Sequence, residues 1–205
     1  MLPAPTVDDI EGHRATYPHT LCAILFAPPF SAVGRDGVIP RLGYLDQRSG
    51  KAIHFYCAGY MGYAHKKDFP DMVEIGTMTY RDSTEIPWSF SQREYARFVG
   101  DFERRTTWRS SGEADLIVLG PKVDYDDCLT FDFGRMVADG AILGSSELFE
   151  ALIRYAEAHP AGTPSSFSDR KLPGLLGAAI AEALPGYLGN ALKAGRHYAV
   201  RSIAR

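Results

Sequence analysis

Apolar positions along the chain fall into blocks whose spacing changes between a continuous run, a period of two and a period near 3.6, and these blocks predict the elements. Leu21–Phe26 is an unbroken apolar run closed by Ala27-Pro28-Pro29, which predicts a buried strand. Val38, Ile39, Leu42 and Leu45 then recur three or four apart, predicting a short amphipathic helix with Arg41, Asp46 and Arg48 on its wet side. Ala52–Cys57 is a second apolar strand, which opens into Gly59-Tyr60-Met61-Gly62. Strand, loop, helix and strand in this order is the grammar of a parallel sheet. Ala114–Leu119 reads as a further buried strand. Cys128–Phe133 alternates apolar and polar positions, so the two are expected to pair antiparallel across Asp124–Asp127.

The helical patterns are of unequal strength. Ser91 stands three residues before Glu94 and ahead of Tyr95, Phe98 and Phe102, which is the signature of a capping box, with Phe90 placed to staple onto Tyr95. A weak pattern covers Gly134–Asp139, and a stronger one runs from Ser145 or Ser146 to Ala156, before His159-Pro160. Ala161–Ser168 has linker composition. Leu172–Leu192 then keeps a three-four apolar spacing nearly all round, with Pro185 predicted to kink or split it. Arg196–Ile203 reads as a last strand or a frayed end. Met1–Tyr17 is polar, proline-bearing and aperiodic and reads as an arm or a short first turn. Gly59–Glu85 reads as a loop-rich insertion with one short strand near Val73–Tyr80.

The predicted fold is α/β, with a central mainly parallel sheet, an antiparallel edge hairpin and a helical C-terminal part. Residues 1–160 form the sheet domain and 161–205 a helical extension packed on it, or the whole is one domain. A length of 205 residues suits either arrangement.

Charge and cysteine usage narrow the function. A net charge of -3, with both signs spread along the chain, argues against a general nucleic-acid binder. Cys22, Cys57 and Cys128 are sparse and unpaired, which points to a reducing cytosol. The first residues lack the basic and apolar regions of a signal peptide, and no apolar run predicts a membrane span.

Walker, dinucleotide-binding, zinc-protease, nucleophile-elbow and zinc-ligand motifs are absent from the sequence, and no cofactor is expected. The carboxyl ends of the predicted parallel strands are the expected ligand rim. That rim would carry Phe30, Ser31, Arg35, Tyr60, Tyr63 and His65, with Glu113 or Lys122 near it. Tyrosines there would stack a planar ring, and Arg35 and Lys66 would meet phosphate. The plainer reading is that these aromatics cover the end of the sheet.

Glu94, Glu113 and His54 are the weak catalytic candidates. The polar loop Trp88-Ser89 followed by Glu94 at a helix start resembles, over these few residues and without a diagnostic motif, the Toll/interleukin-receptor-like and nucleoside deoxyribosyltransferase-like folds. The resemblance assigns no family. It implies a carboxylate acting at a ribose near the sheet rim. The cap explains Glu94 without chemistry, and a lone strand histidine such as His54 is more often structural. Asp124, Asp126, Asp127 and Asp132 are spaced as alternate acids but lack the glycine and glutamate of a calcium loop, so no metal is expected. Lys193, Arg196, His197, Arg201 and Arg205 form a modest basic tail, read as solvated.

Two functions follow. The first is a cytosolic, non-enzymatic binding or interaction protein, using the Gly59–Met72 aromatic loop and the apolar Leu172–Leu192 segment for a protein partner or for self-association. The second is an enzyme acting on a nucleotide or nucleoside-like ligand, of N-glycosidic hydrolase or transferase type, at the carboxyl ends of the parallel strands. Clustering of Glu94, His54 and Tyr60 would favour the enzyme.

Overall fold

The computed structural model describes residues 2–4, 6–17, 21–48, 50, 52–62, 64–79, 84–120, 124–126, 128–138, 145–158 and 199–205. In chain order these form β1 (Leu2–Ala4), α1 (Val7–Thr16) and β2 (Leu21–Phe26). A π-helical turn (Val33–Val38) and a 3-10 turn (Ile39–Arg41) then lead into α2 (Leu42–Arg48). After these come β3 (Ile53–Ala58), β4 (Tyr60–Gly62), β5 (Val73–Thr79), β6 (Glu85–Phe90) and α3 (Gln92–Arg105). The chain continues with β7 (Asp115–Leu119), β8 (Cys128–Asp132), α4 (Phe133–Ala138), α5 (Ser145–Ala158) and β9 (Ala199–Arg201).

The main sheet has the order β1-β3-β2-β7-β8-β9. Only β1–β3 and β3–β2 are parallel; β2–β7, β7–β8 and β8–β9 are antiparallel. The expectation of a central mainly parallel sheet is therefore wrong, and the sheet is mixed. The cause lies in the path of the chain. The Ser91 amide, just before α3, bonds the Gly59 carbonyl at 3.0 Å, beside the end of β3. After α3 the chain returns, and Asp115 at the start of β7 sits opposite Phe26 at the end of β2. Leaving and re-entering the sheet at one rim forces β7 to run back against β2. An apolar run carries no sign of its direction, so the sequence alone did not reveal this. The expected β7–β8 pair does form, in register from Asp115–Asp132 to Leu119–Cys128, but β9 covers its far side.

The described residues between 2 and 17 form a strand and a helix rather than an arm or a short first turn. β1 pairs with β3 in register from Leu2–Tyr56 to Ala4–Ala58, and Thr6 caps α1 by accepting from the Asp9 amide at 3.1 Å. Only Val7, Ile10 and Arg14 of α1 are buried, a stripe too thin and too polar to show as a period. Gly59–Glu85 likewise contains more order than expected, since β4, β6 and β5 form a second, antiparallel sheet in that order. Pro87 lies inside β6, and proline within a run argues against a strand, which hid this one.

Alternation sorts the core onto two faces. Cys22, Ile24 and Phe26 of β2 share a face with His54 and Tyr56 of β3. Phe26 packs there against Phe98, Phe102 and Trp108, with ring centroids 5.6, 5.4 and 4.4 Å away. On the other face Phe55 meets Phe149 of α5 edge-on at 5.6 Å. Gly59, at φ +75°, is required where β3 turns beneath α3. A Cβ there would lie 2.6 Å from that of Tyr95.

Residues 159–198 lie outside the described residues, and with them the whole of Leu172–Leu192. The end of the chain returns to the main sheet as β9. Arg205 of the expected solvated basic tail donates to the carbonyls of Thr106 and Glu103 at 3.2 and 3.1 Å, capping the end of α3.

Candidate functional site

The rim formed by the ends of β2 and β3 and the start of β7 brings several chemically capable groups together. Asp115 is only 4% exposed. Its Oδ2 accepts from the Ser111 amide at 2.8 Å, within a turn that Gly112 passes at φ +83°. Burial lifts the Asp115 carboxyl to about 6; the Ser111 bonds oppose this rise and the neighbouring Asp132 adds to it. Asp132 pairs directly with Asp115 across the ladder and caps α4 by accepting from the Arg135 amide at 2.8 Å. Tyr95 of α3 bonds Ser110, and burial raises its hydroxyl to about 12. Phe30, 59% exposed, stands edge-on to Tyr95 with centroids 6.4 Å apart. The rim thus presents an enclosed acid that changes charge near neutrality, two serines and an aromatic wall.

Of the residues expected at this rim, Phe30 is exposed and packs beside Tyr95. Ser31 is buried; its hydroxyl donates to the Pro28 carbonyl at 2.9 Å and accepts from the Gly34 amide at 2.9 Å, closing the turn into the π-helical segment. Arg35 is exposed and forms a double hydrogen bond with Asp36, 2.9 Å in each arm. Tyr60 is fully buried, with its hydroxyl donating to the Ala27 carbonyl and its ring edge-on to Phe90 at 5.4 Å. His65 is exposed, and its carbonyl closes the turn at Asp68 and Phe69. Tyr63 and Lys122 lie outside the described residues. Glu113 is exposed and packs its stem against Gly134. Asp115 was missed because an aspartate opening an apolar run looks like a strand boundary; Ser110-Ser111-Gly112 before it was the available turn signal.

The cap of α3 is half of the expected box. The Ser91 hydroxyl accepts from the Glu94 amide at 3.1 Å, and Phe90 does staple onto Tyr95 at 5.6 Å. The Ser91 amide, however, bonds Gly59, so Glu94 does not reach back to it. Glu94 is buried and ion-pairs with Arg97 at 3.0 Å, in a geometry too poorly aligned to count as a hydrogen bond. Asp71 supplies what Glu94 does not. It accepts from the Ser91 hydroxyl at 2.8 Å and from the Arg93 amide at 2.9 Å, and these bonds hold its carboxyl below the ordinary range.

A second polar cluster lies on the same sheet face at the opposite end. His54, 4% exposed, sits beneath the last turn of α1. Its ring meets those of His13 and Tyr17 at 5.0 and 5.1 Å, and Arg14 approaches its Nδ1 at 3.4 Å. The Tyr56 hydroxyl shares a hydrogen bond of 2.7 Å with Nδ1 of His13 and accepts from Arg14. Burial, then the charges of His13 and Arg14, lower His54 to about 4, so it is neutral at pH 7. Residues distant in sequence orient this ring, which no local pattern could signal. His54, Glu94 and Tyr60 do not share one pocket. No group of three potential metal ligands stands together among the described residues, and Asp124 instead closes its own turn onto the Asp126 amide at 2.9 Å.

No protein-family model matches this chain, and neither does a curated protein or a solved structure. The site is therefore interpreted from its own chemistry.

Proposed function

We propose that the protein binds a nucleoside-like ligand at the rim where β2 and β3 end, and that Asp115 exchanges a proton with it. The observation that carries this reading is an enclosed carboxyl group, lifted to about 6, at the carboxyl end of the parallel strands and beside an exposed aromatic. A carboxyl tuned this way holds a proton close to neutral pH, as a general acid must. Cleavage at a glycosidic nitrogen needs such an acid, because the leaving base departs best when protonated. Phe30 would stack the base, with the buried Tyr95 ring backing Phe30, while Ser110, Ser111 and Glu113 would meet ribose hydroxyls. The three buried free cysteines fit a cytosolic setting.

The test is a thermal-shift and isothermal-titration panel of nucleosides and nucleotides on wild type, Asp115→Asn and Phe30→Ala. Binding by wild type that weakens at least tenfold in both variants supports the reading. A ligand bound equally by all three proteins, or no binding by any, overturns it. Product release from a bound nucleoside, abolished in Asp115→Asn, would establish the enzyme.

A second reading, a protein-interaction surface, has its own observation. β5 pairs on one side only among the described residues and is exposed at most of its positions, with Val73 55% exposed. A mass in solution above that of one chain, reduced by a lysine at Val73, would support it.

A further inference from the structure

We propose that the contact between the end of α1 and the sheet is an acid-labile latch, held by the neutral ring of His54, which opens locally when that ring takes up a second proton. The geometry of one nitrogen carries the argument. Nδ1 of His54 faces a guanidinium nitrogen of Arg14 at 3.4 Å, and the ring is 4% exposed. A neutral imidazole presents a lone pair to that donor. An imidazolium has a proton on both nitrogens, so Nδ1–H would point at N–H, with two positive charges enclosed together.

The other groups facing His54 do not relieve this clash. From α1 they are His13, Arg14 and Tyr17. From β2 there is Cys22, directly opposite in the ladder and held neutral by burial, with its thiol at about 12. From β3 there is Tyr56, whose hydroxyl burial also keeps protonated. Against these, the Gly50 carbonyl is a contact that favours the cation. None of these is a carboxylate.

The latch is confined to one end of α1. Its first turns are tied to α3 by Arg105, which reaches Asp8 at 2.8 Å and Glu11 at 3.5 Å, far from His54. Release of the last turn frees Arg14 and uncovers Cys22 and Tyr56 on the sheet. The protein would thereby expose a new surface in an acidified environment while α3 and the rest of the sheet remain folded.

The experiment is amide hydrogen exchange on the full chain at pH 7.0 and 4.5, corrected for intrinsic rates, with α3 as the internal reference. With His54 at about 4 when latched and at an ordinary histidine value when open, the opening constant of α1 should rise roughly 50- to 100-fold more than that of α3. His54→Gln, neutral at both pH values, should abolish that difference. Opening of α1 in step with α3, or an acid rise that persists in His54→Gln, overturns the proposal. Should the variant not fold, the wild-type imidazole titration followed by NMR decides. A His54 midpoint well below that of a free histidine, coinciding with α1 exchange, supports the latch, and a midpoint near 6.5 overturns it.

Discussion

The two ends of one sheet face bury ionisable groups with opposite consequences. At the rim, burial holds a proton on Asp115; under α1, burial keeps one off His54. In both groups burial favours the neutral form, yet their effects on stability run in opposite directions with pH. The folded-state value of His54 is depressed to about 4, so the unfolded chain binds more protons below about 6.5. Its contribution is complete above that value and is lost as pH falls towards 4. The folded-state value of Asp115 is raised from 3.8 to about 6, so the folded chain binds more protons in between. Its contribution is complete below 3.8 and is lost as pH rises through 6. Across the same acid window one end of the face loosens while the other tightens.

Removing one partner from this balance gives the largest expected effect. His54→Gln should regain about 2–3 kcal/mol, relative to wild type, between pH 7.5 and pH 4.5, leaving the slopes of Asp115 and the other titrating groups in place. Asp115→Asn should do the reverse. It is expected to gain about 1–3 kcal/mol over wild type at pH 7.5 and little at pH 4, because a neutral amide still accepts from Ser111. Urea unfolding of the three proteins at four pH values checks both, and parallel profiles would show that these two groups do not set the acid limb. A variant that is more stable but unable to bind ligand would also mark Asp115 as a group kept for function at the expense of stability.

Tyr56→Phe separates the hydrogen-bonded network under α1 from the charge effect. It removes the hydroxyl that serves both His13 and Arg14. A loss of about 1–2 kcal/mol is expected at pH 7.5 by chemical denaturation, without a change in the ring packing. At the rim the comparable change, Tyr95→Phe, deletes only the bond to Ser110 and should cost about 0.5–1 kcal/mol. A Tyr95 variant as damaging as the Tyr56 one would mean that the rim, too, is a structural network rather than a site kept open for a ligand.

The sequence made the elements more legible than their arrangement. β2, β3, β7 and α3 were visible because long apolar runs and a serine cap are local patterns. Strand direction was not visible, because Leu116–Leu119 reads the same whichever way it runs. The candidate site was legible only in part for the same reason. Phe30 follows a double proline after an apolar run, so its place at a strand outlet could be inferred. Asp115 acquires its character from Ser111, Asp132 and α3 packed over it, and His54 from α1, which contacts it from forty residues upstream. Such environments are products of tertiary structure, and no window of sequence contains them.

The smallest effect tests a third treatment of charge, in which a carboxylate remains exposed and is stabilised by hydrogen bonds alone. Asp71 ties the segment before β5 to the start of α3, where the Ser91 hydroxyl and the Arg93 amide both donate to it. These bonds lower its value, so its contribution is present above the ordinary carboxylate range and is lost as pH falls through the lowered value. Asp71→Ala should cost about 0.5–1 kcal/mol at pH 7, since Ser91 itself still caps the helix through the Glu94 amide. Asp71→Asn should recover part of that loss, because the amide oxygen still accepts while the charge facing the helix end is gone. The exchange of the Arg93 amide distinguishes a local tether from a wider role. It should quicken in Asp71→Ala while the amides of β2 and β7 keep their wild-type rates. Faster exchange at β7 as well would join Asp71 to the rim, and the boundary between the exposed tether and the enclosed acid would have to be redrawn.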